Sequence, residues 1–297
     1  MSASNFNKFM SGNTEDILKF YDSFSDRSEL IRWAHHLPKS TPTVSIFCDQ
    51  ESEIAVVIPT PSTDHPLALN CRNKVFKGFK IVFSVDNSNL FNLSRSYNTG
   101  SLSLKHDQNI RWVIFSNVDM LEKDPPDKLV EELNRINGDV KFCYAREDGS
   151  HSYSLRIGEY TYLRNVAFAL SGRTRRTRKM LDDKFSIHIN AEDNRHFFTR
   201  RFVSNYKEII NFGDFFIFSV DLLKDYNYAP FDENYLNGME DIDLSFRIFE
   251  DLGVGQMAAI NYSIGSMESG IRGRSLARVL RSIPSVAYFN EKMEKIL

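Results

Sequence analysis

Three short apolar runs constrain this chain more than any other feature. Residues 53–60 read EIAVVIPT, 80–85 read KIVFSV and 111–116 read RWVIFS. Helix-length segments separate them. Buried runs at that spacing imply parallel strands joined by crossovers, because a parallel pair needs a long connection and helices to cover both faces. In such sheets ligands sit beyond the carboxyl ends of the strands. Pro59 and Thr60 close the first run, Asp86-Asn87-Ser88-Asn89 the second and Asn117-Val118-Asp119 the third. One aspartate at a strand end is an ordinary turn former. Two on successive strand ends point to a ligand crevice.

The segments around these runs complete an α/β pattern. Residues 43–48 alternate like a strand, 67–76 read as a helix, and 94–109 are rich in Ser, Asn and Gly, with Asn98 and Gly100 at their centre. Pro125 and Pro126 open a helix over 129–136, and 139–146 read as a further strand. The second half is less regular. Aromatic-rich strands are expected over 153–166, 185–189 and 197–203, with a basic run of Arg173, Arg175, Arg176, Arg178 and Lys179 between the first two. Upstream, Asn13 or Thr14 suits a helix cap before Ile17, Leu18 and Phe20, and Asp26 or Ser28 suits a second before Leu30, Ile31 and Trp33. The expected organisation is a helical extension over 1–42 and one α/β domain over 43–297. That domain is expected to divide at about residue 146, into halves at about 43–146 and 147–297.

The totals exclude several classes. A net charge of −2 offers no overall attraction for nucleic acid. Cys48, Cys71 and Cys143 are odd in number and far apart, unlike a disulfide framework or a zinc site. No apolar run approaches a membrane span, and the N-terminus lacks a signal peptide's apolar segment. The expectation is a cytoplasmic protein.

The most charged local feature is NGMEDIDLSFR, residues 237–247. Glu240, Asp241 and Asp243 lie within four residues and are followed by Leu244, Phe246 and Ile248, as in an acidic loop entering an amphipathic helix. Helix capping uses one or two carboxylates, not three. Asp243 is expected to serve structure, as a cap or paired with Arg247 at i+4. A carboxylate held at a rigid strand end, such as Asp119, suits Mg2+ or Mn2+ bridged to a substrate diphosphate. The chain has neither a Walker lysine loop nor a Gly-rich dinucleotide fingerprint after its first strand, which leaves nucleotidyl or glycosyl transfer.

Taken in order, VVIPT at 56–60, SVDNSN at 84–89, Asn98-Thr99-Gly100, VIFSNVD at 113–119, NFGDFFIFSVDLL at 211–223 and FDENYLNGMEDIDLSFRI at 231–248 resemble family 2 glycosyltransferases of the GT-A fold. The similarity is to the rhamnosyltransferase-like and galactofuranosyltransferase-like members. It spans roughly residues 54–249, and the tail YFNEK at 288–292 is also similar. It implies an inverting transfer from a nucleotide-diphosphate sugar to a glycan or lipid-linked hydroxyl. Pro59, Thr60 and Asp86 would line the nucleotide pocket together with Asn98. Asn117 and Asp119 would meet the donor diphosphate, with Asp119 the ligand of Mn2+ or Mg2+. Gly213 and Asp214 would lie where donor and acceptor meet, Asp241 would be the general base, and Glu240 would orient acceptor or base.

Two departures stand out. The first acid of the family's DXD-like motif is Asn117, and the histidine that often follows the acidic helix is missing from residues 260–266, where Tyr262 or Ser263 stands instead. Arg272, Arg274, Arg278 and Arg281 suit a diphosphate or the anionic inner face of a membrane as well as plain solvation. Two other functions keep the same fold: a catalytically inactive glycan- or nucleotide-sugar-binding subunit, and a sugar-nucleotidyltransferase. The latter normally has a Gly-rich basic loop where this chain has PTPSTDHP.

Overall fold

The computed structural model describes residues 3–145, 153–160, 185–189, 203–236, 238–267 and 276–296. Its centre is a seven-stranded mixed sheet in the order β1-β3-β2-β4-β10-β6-β11. The strands are β1 (Thr43–Phe47), β2 (Ile54–Thr60), β3 (Lys80–Val85), β4 (Trp112–Ser116), β6 (Phe142–Ala145), β10 (Phe215–Ser219) and β11 (Met257–Ile260). The three apolar runs become β3, β2 and β4, parallel neighbours as expected. Strands β6 and β11 share their direction, whereas β1 and β10 are antiparallel to their neighbours. The result is an α/β fold with a mostly parallel sheet, compatible with a Rossmann-like architecture.

Alternation along β2 assigns the two faces of the sheet. Ile54, Val56 and Ile58 point to one side, where they meet Ala68 of α4 (Pro66–Asn70), Cys71 and Val75 of the π turn that continues it, and Leu129 and Leu133 of α6 (Pro126–Asn134). Ala55 and Val57 point to the other. There they meet Tyr97 of α5 (Leu93–Leu102), Leu222 of α7 (Val220–Asp225) and Leu244 and Ile248 of α8 (Glu240–Asp251). Each fully buried Val, Ile or Phe contributes about 1.5–3 kcal/mol, so this double-sided burial dominates the fold.

Residues 93–102, within the Ser-, Asn- and Gly-rich segment, form α5. Its buried face carries Ser94, Ser96, Asn98, Gly100 and Ser101, and their small size lets the helix lie close on β2 and β3. A Cβ at Gly100 would overlap Val57 Cγ1. Here tertiary fit outweighs propensity.

The N-terminal segment makes three helices, α1 (Ala3–Met10), α2 (Thr14–Tyr21) and α3 (Arg27–His35), one more than expected. Asn13 and Asp26 cap the second and third, accepting from Glu15 N and Glu29 N at 2.9 Å each. Their apolar faces close on the C-terminal helices Leu276–Arg281 and Ile283–Ile296 through Phe20, Leu30, Trp33, Leu280 and Ile283. Arg27 and Glu294 add a two-pronged ion pair at 2.6 and 2.7 Å.

A three-stranded sheet, β8-β7-β9, is formed by β7 (Tyr153–Tyr160), β8 (Phe185–Ile189) and β9 (Val203–Asn211). The third strand starts where an expected 197–203 strand ends; residues 197–202 and 161–166 lie outside the described residues, as do the basic run at 173–179 and Arg272 and Arg274. Ile157 and Ile209 of this sheet pack on Phe246, Phe289 and Met293. A short ribbon pairs β5 (Met120–Glu122) with β12 (Ile264–Ser266). The cysteines are free, Cys48 exposed and the other two buried. Among the described residues no helix is long and apolar enough to cross a membrane.

Candidate functional site

Because β2, β3 and β4 are parallel neighbours, their carboxyl ends lie along one edge of the sheet. Asp86 N donates to Thr60 O at 3.0 Å, which ties the ends of β3 and β2 together. Asp86 is buried, and its Oδ1 accepts from Ser88 N at 2.9 Å. Its Oδ2 is buried without a hydrogen-bond partner. A buried acceptor left unmet costs about 1–3 kcal/mol, so this oxygen is a natural place for a ligand donor. The Thr60 hydroxyl is turned to Ser62 O at 2.8 Å, and Pro59 is buried within β2.

Antiparallel β10 brings its first residues to the same edge, next to the end of β4. Gly213 makes the turn with φ at 65°, a left-handed conformation that favours glycine. Asp214 follows it. The Asn117 amide Nδ2 donates to Asp214 Oδ2 at 3.1 Å, while Asn117 Oδ1 accepts from the Tyr97 hydroxyl at 3.0 Å. Asn117 therefore bridges a phenol and a carboxylate. Asp119 lies two residues on, at the start of the β5 ribbon, and its carbonyl accepts from Met267 N at 2.9 Å.

The acidic stretch supplies the remaining wall. Glu240, Asp241 and Asp243 all lie within the first turn of α8 rather than in a loop before it. The turn is entered through Gly238 and Met239, whose φ values are 98° and 77°. A positive φ at a non-glycine residue costs about 1–2 kcal/mol, and such strain persists where the surroundings impose it. No side chain caps this helix from Met239.

The three carboxylates divide as follows. Asp243 is fully buried, accepting from Tyr235 Oη at 2.9 Å and pairing with Arg247 Nε at 3.0 Å. It is structural, through the expected i+4 pair rather than as a cap. Asp241 is held by Asn211 Nδ2 at 3.3 Å. Burial raises its carboxyl above the usual range, the Asn211 bond opposes this, and the Asp214 charge pushes the same way as burial. Glu240 is buried beside it.

Tyr97 registers how closely these groups gather. Its phenol is raised well above normal, first by burial and then by the charges of Asp214, Glu240, Asp119 and Asp241. Four acids, from the segment after β4, the turn before β10 and the first turn of α8, thus lie within electrostatic reach of one buried tyrosine. Sequence reasoning missed Tyr97 and Asn211. Tyr97 hides within a Ser/Asn-rich segment, and Asn211, the last residue of β9, opens the 211–223 block without standing out in it. Asn98 goes elsewhere. Its Nδ2 donates to Phe231 O and Glu233 Oε1, and its Oδ1 accepts from Phe231 N, which fixes the loop ahead of α8.

Tyr262 is a core side chain, stacked on Phe215 at 6.2 Å and raised by burial. Ser263 donates its backbone N–H to Asp124 Oδ2 at 2.8 Å. Among the described residues no group of three or more His, Cys, Asp or Glu side chains is arranged to hold a metal by itself. A single carboxylate such as Asp119 is an oxygen donor of the kind that a hard divalent cation takes when phosphate and water complete its shell. Neither a family model nor a curated protein matches the chain.

Proposed function

We propose that this chain is an inverting glycosyltransferase of the GT-A, family 2 type, moving one sugar from a nucleotide-diphosphate donor to a hydroxyl of a glycan or lipid-linked acceptor. The observation that carries the reading is the Tyr97–Asn117–Asp214 hydrogen-bonded chain at the carboxyl edge of three parallel strands, with Asp119, Glu240 and Asp241 close enough for their charges to act on the same tyrosine. The unmet Asp86 Oδ2 beside Thr60 supplies an acceptor for a base N–H or a ribose hydroxyl.

In this reading Asp241 takes the proton of the acceptor hydroxyl as the sugar's anomeric carbon is attacked from the face opposite the departing diphosphate. A carboxyl raised by burial is suited to that role, since a base with proton affinity closer to the working pH transfers protons more efficiently. Asn211 holds Asp241 in place and Glu240 orients the acceptor. Asp119 would hold Mg2+ or Mn2+ with donor phosphate oxygens and water, and the metal would neutralise charge on the leaving diphosphate. Asn117, already bridging Tyr97 and Asp214, fixes the floor beneath that group.

The test is release of nucleoside diphosphate from a panel of UDP-, GDP- and dTDP-hexoses with Mn2+, by wild type and Asp241→Asn. Turnover by wild type and a loss of about 10²–10⁴ in the variant, with donor binding retained, is expected. Equal turnover by both removes Asp241 as the base, and binding without turnover in wild type leaves a nucleotide-sugar-binding subunit.

A further inference from the structure

The loop ahead of α8 and the first turn of α8 are joined by one cation from the far end of the chain. Lys292, on the helix Ile283–Ile296, places Nζ 3.1 Å from Asp232 Oδ2 and 2.6 Å from Asp243 Oδ1. The Asp243 side chain is 1% exposed and that of Lys292 23%. Tyr288, one turn earlier, donates its hydroxyl to Asp232 Oδ2 at 2.8 Å. Ser285 Oγ accepts from Leu236 N at 3.1 Å. Three residues on one helix thus grip the segment that leads into Gly238 and Met239.

We propose that Lys292 is a positioning residue that holds the Glu240–Asp241 turn in its working geometry. The proposal rests on Asp241 being the base. Gly238 and Met239 both adopt left-handed backbone, so the turn needs an external restraint on each side. Asp232 anchors the approach and Asp243 anchors the helix, two residues beyond Asp241. Lys292 is the shared partner of both carboxylates. Asp243 has further donors in Tyr235 and Arg247, so the anchor itself survives loss of Lys292; what is lost is the ionic tie from Asp232 to Asp243, while the Tyr235–Asp243 and Arg247–Pro230 bonds remain.

A purely structural role is separated by a control that acts on the same helix through a different contact. Arg27 pairs with Glu294 and docks that helix to α3 without touching Asp232 or Asp243. The experiment compares Lys292→Met, Lys292→Arg and Arg27→Met. It reads nucleoside diphosphate release from the hexose panel, donor KM, and amide hydrogen exchange over residues 240–243.

Lys292→Met is expected to lower kcat about ten- to a hundredfold with donor KM within about twofold, the scale of a misplaced catalytic group. It should also speed exchange over 240–243. Lys292→Arg should restore most of both, and Arg27→Met should keep kcat and protection despite a lower Tm. Unchanged exchange and kcat in Lys292→Met, or an equal loss in Arg27→Met, overturns the proposal. If wild type turns over no donor, the transferase reading falls, and the exchange comparison alone decides whether Lys292 holds the turn.

Discussion

The hydroxyl of Tyr97 donates to Asn117 Oδ1 at 3.0 Å, and this bond determines which way the Asn117 amide faces. Because the surrounding burial and carboxylates keep the phenol protonated, it remains a donor, and Asn117 Nδ2 is left to meet Asp214. Phe231 stacks on the tyrosine ring at 4.7 Å and Phe115 meets it edge-on at 5.6 Å, so the ring is held from both sides. An aspartate at position 117 would set two carboxylates against each other. The amide is the group that this geometry accommodates.

Tyr97→Phe keeps both ring contacts and removes the donor. The loss is expected to cost about 1–3 kcal/mol, seen as a fall of several degrees in Tm, since it leaves a polar oxygen unmet in a largely enclosed site. Diphosphate release should fall as well, because the Asn117 amide is then free to turn away from Asp214. A Tm within one degree of wild type would contradict this account.

Asp241→Asn should stabilise the protein at neutral pH while ending transfer. The folded-state carboxyl is raised, chiefly by burial, so the folded protein binds this proton more readily than the unfolded chain. Stability from this group is therefore complete below the unfolded carboxyl value of about 4 and is lost as pH rises through the folded value. Above it the buried charge is a cost, which the amide removes. Thermal melts of both proteins between pH 4 and 8 should diverge as pH rises, with the variant on top.

His35 works in the opposite direction. Burial lowers it, although Asp232 and Glu291 partly oppose that, and its ring meets Tyr288 edge-on at 4.6 Å. A depressed histidine contributes stability that is present above the unfolded value of about 6.5 and lost as pH falls through the folded value. Melts of His35→Phe should show a shallower fall in Tm below pH 6.5 than wild type. A steeper fall would mean that the protonated ring is favoured.

Gly100→Ala tests the close approach of α5 to the sheet. The added methyl meets Val57 and the β3 side chain of Ser84, within a layer that has little room to shift. Overpacking of this kind costs about 1–3 kcal/mol. Denaturant melts should show it as a lower midpoint with an unchanged slope.

Much of the architecture was legible because it follows from local pattern. Runs such as EIAVVIPT bury both faces, which only a sheet covered on two sides permits, and the caps Asn13 and Asp26 are set by residues a few positions apart. The pairing of Asp243 with Arg247 is likewise dictated by helical spacing. The helix α5 was legible only as a helix-length gap between two strands, because a buried face of Ser, Asn and Gly shows no apolar periodicity.

The sequence by itself determined β1 to β4 and β6, the turns at the carboxyl ends of β2, β3 and β4, and the amphipathic helix behind the acidic stretch, since each depends on periodicity or on neighbours within one turn; β10 and β11 did not show in it. Tertiary structure alone decided that β10 runs against β4 and so delivers Asp214 to Asn117, that Asn98 serves a loop, and that Tyr97 bonds Asn117 within reach of the acids' charges. It also decided that Lys292 reaches Asp243 from 49 residues away. Strand direction and long-range contacts are set by how whole layers pack, and it is burial within those layers that raises the Asp241 carboxyl above its usual range.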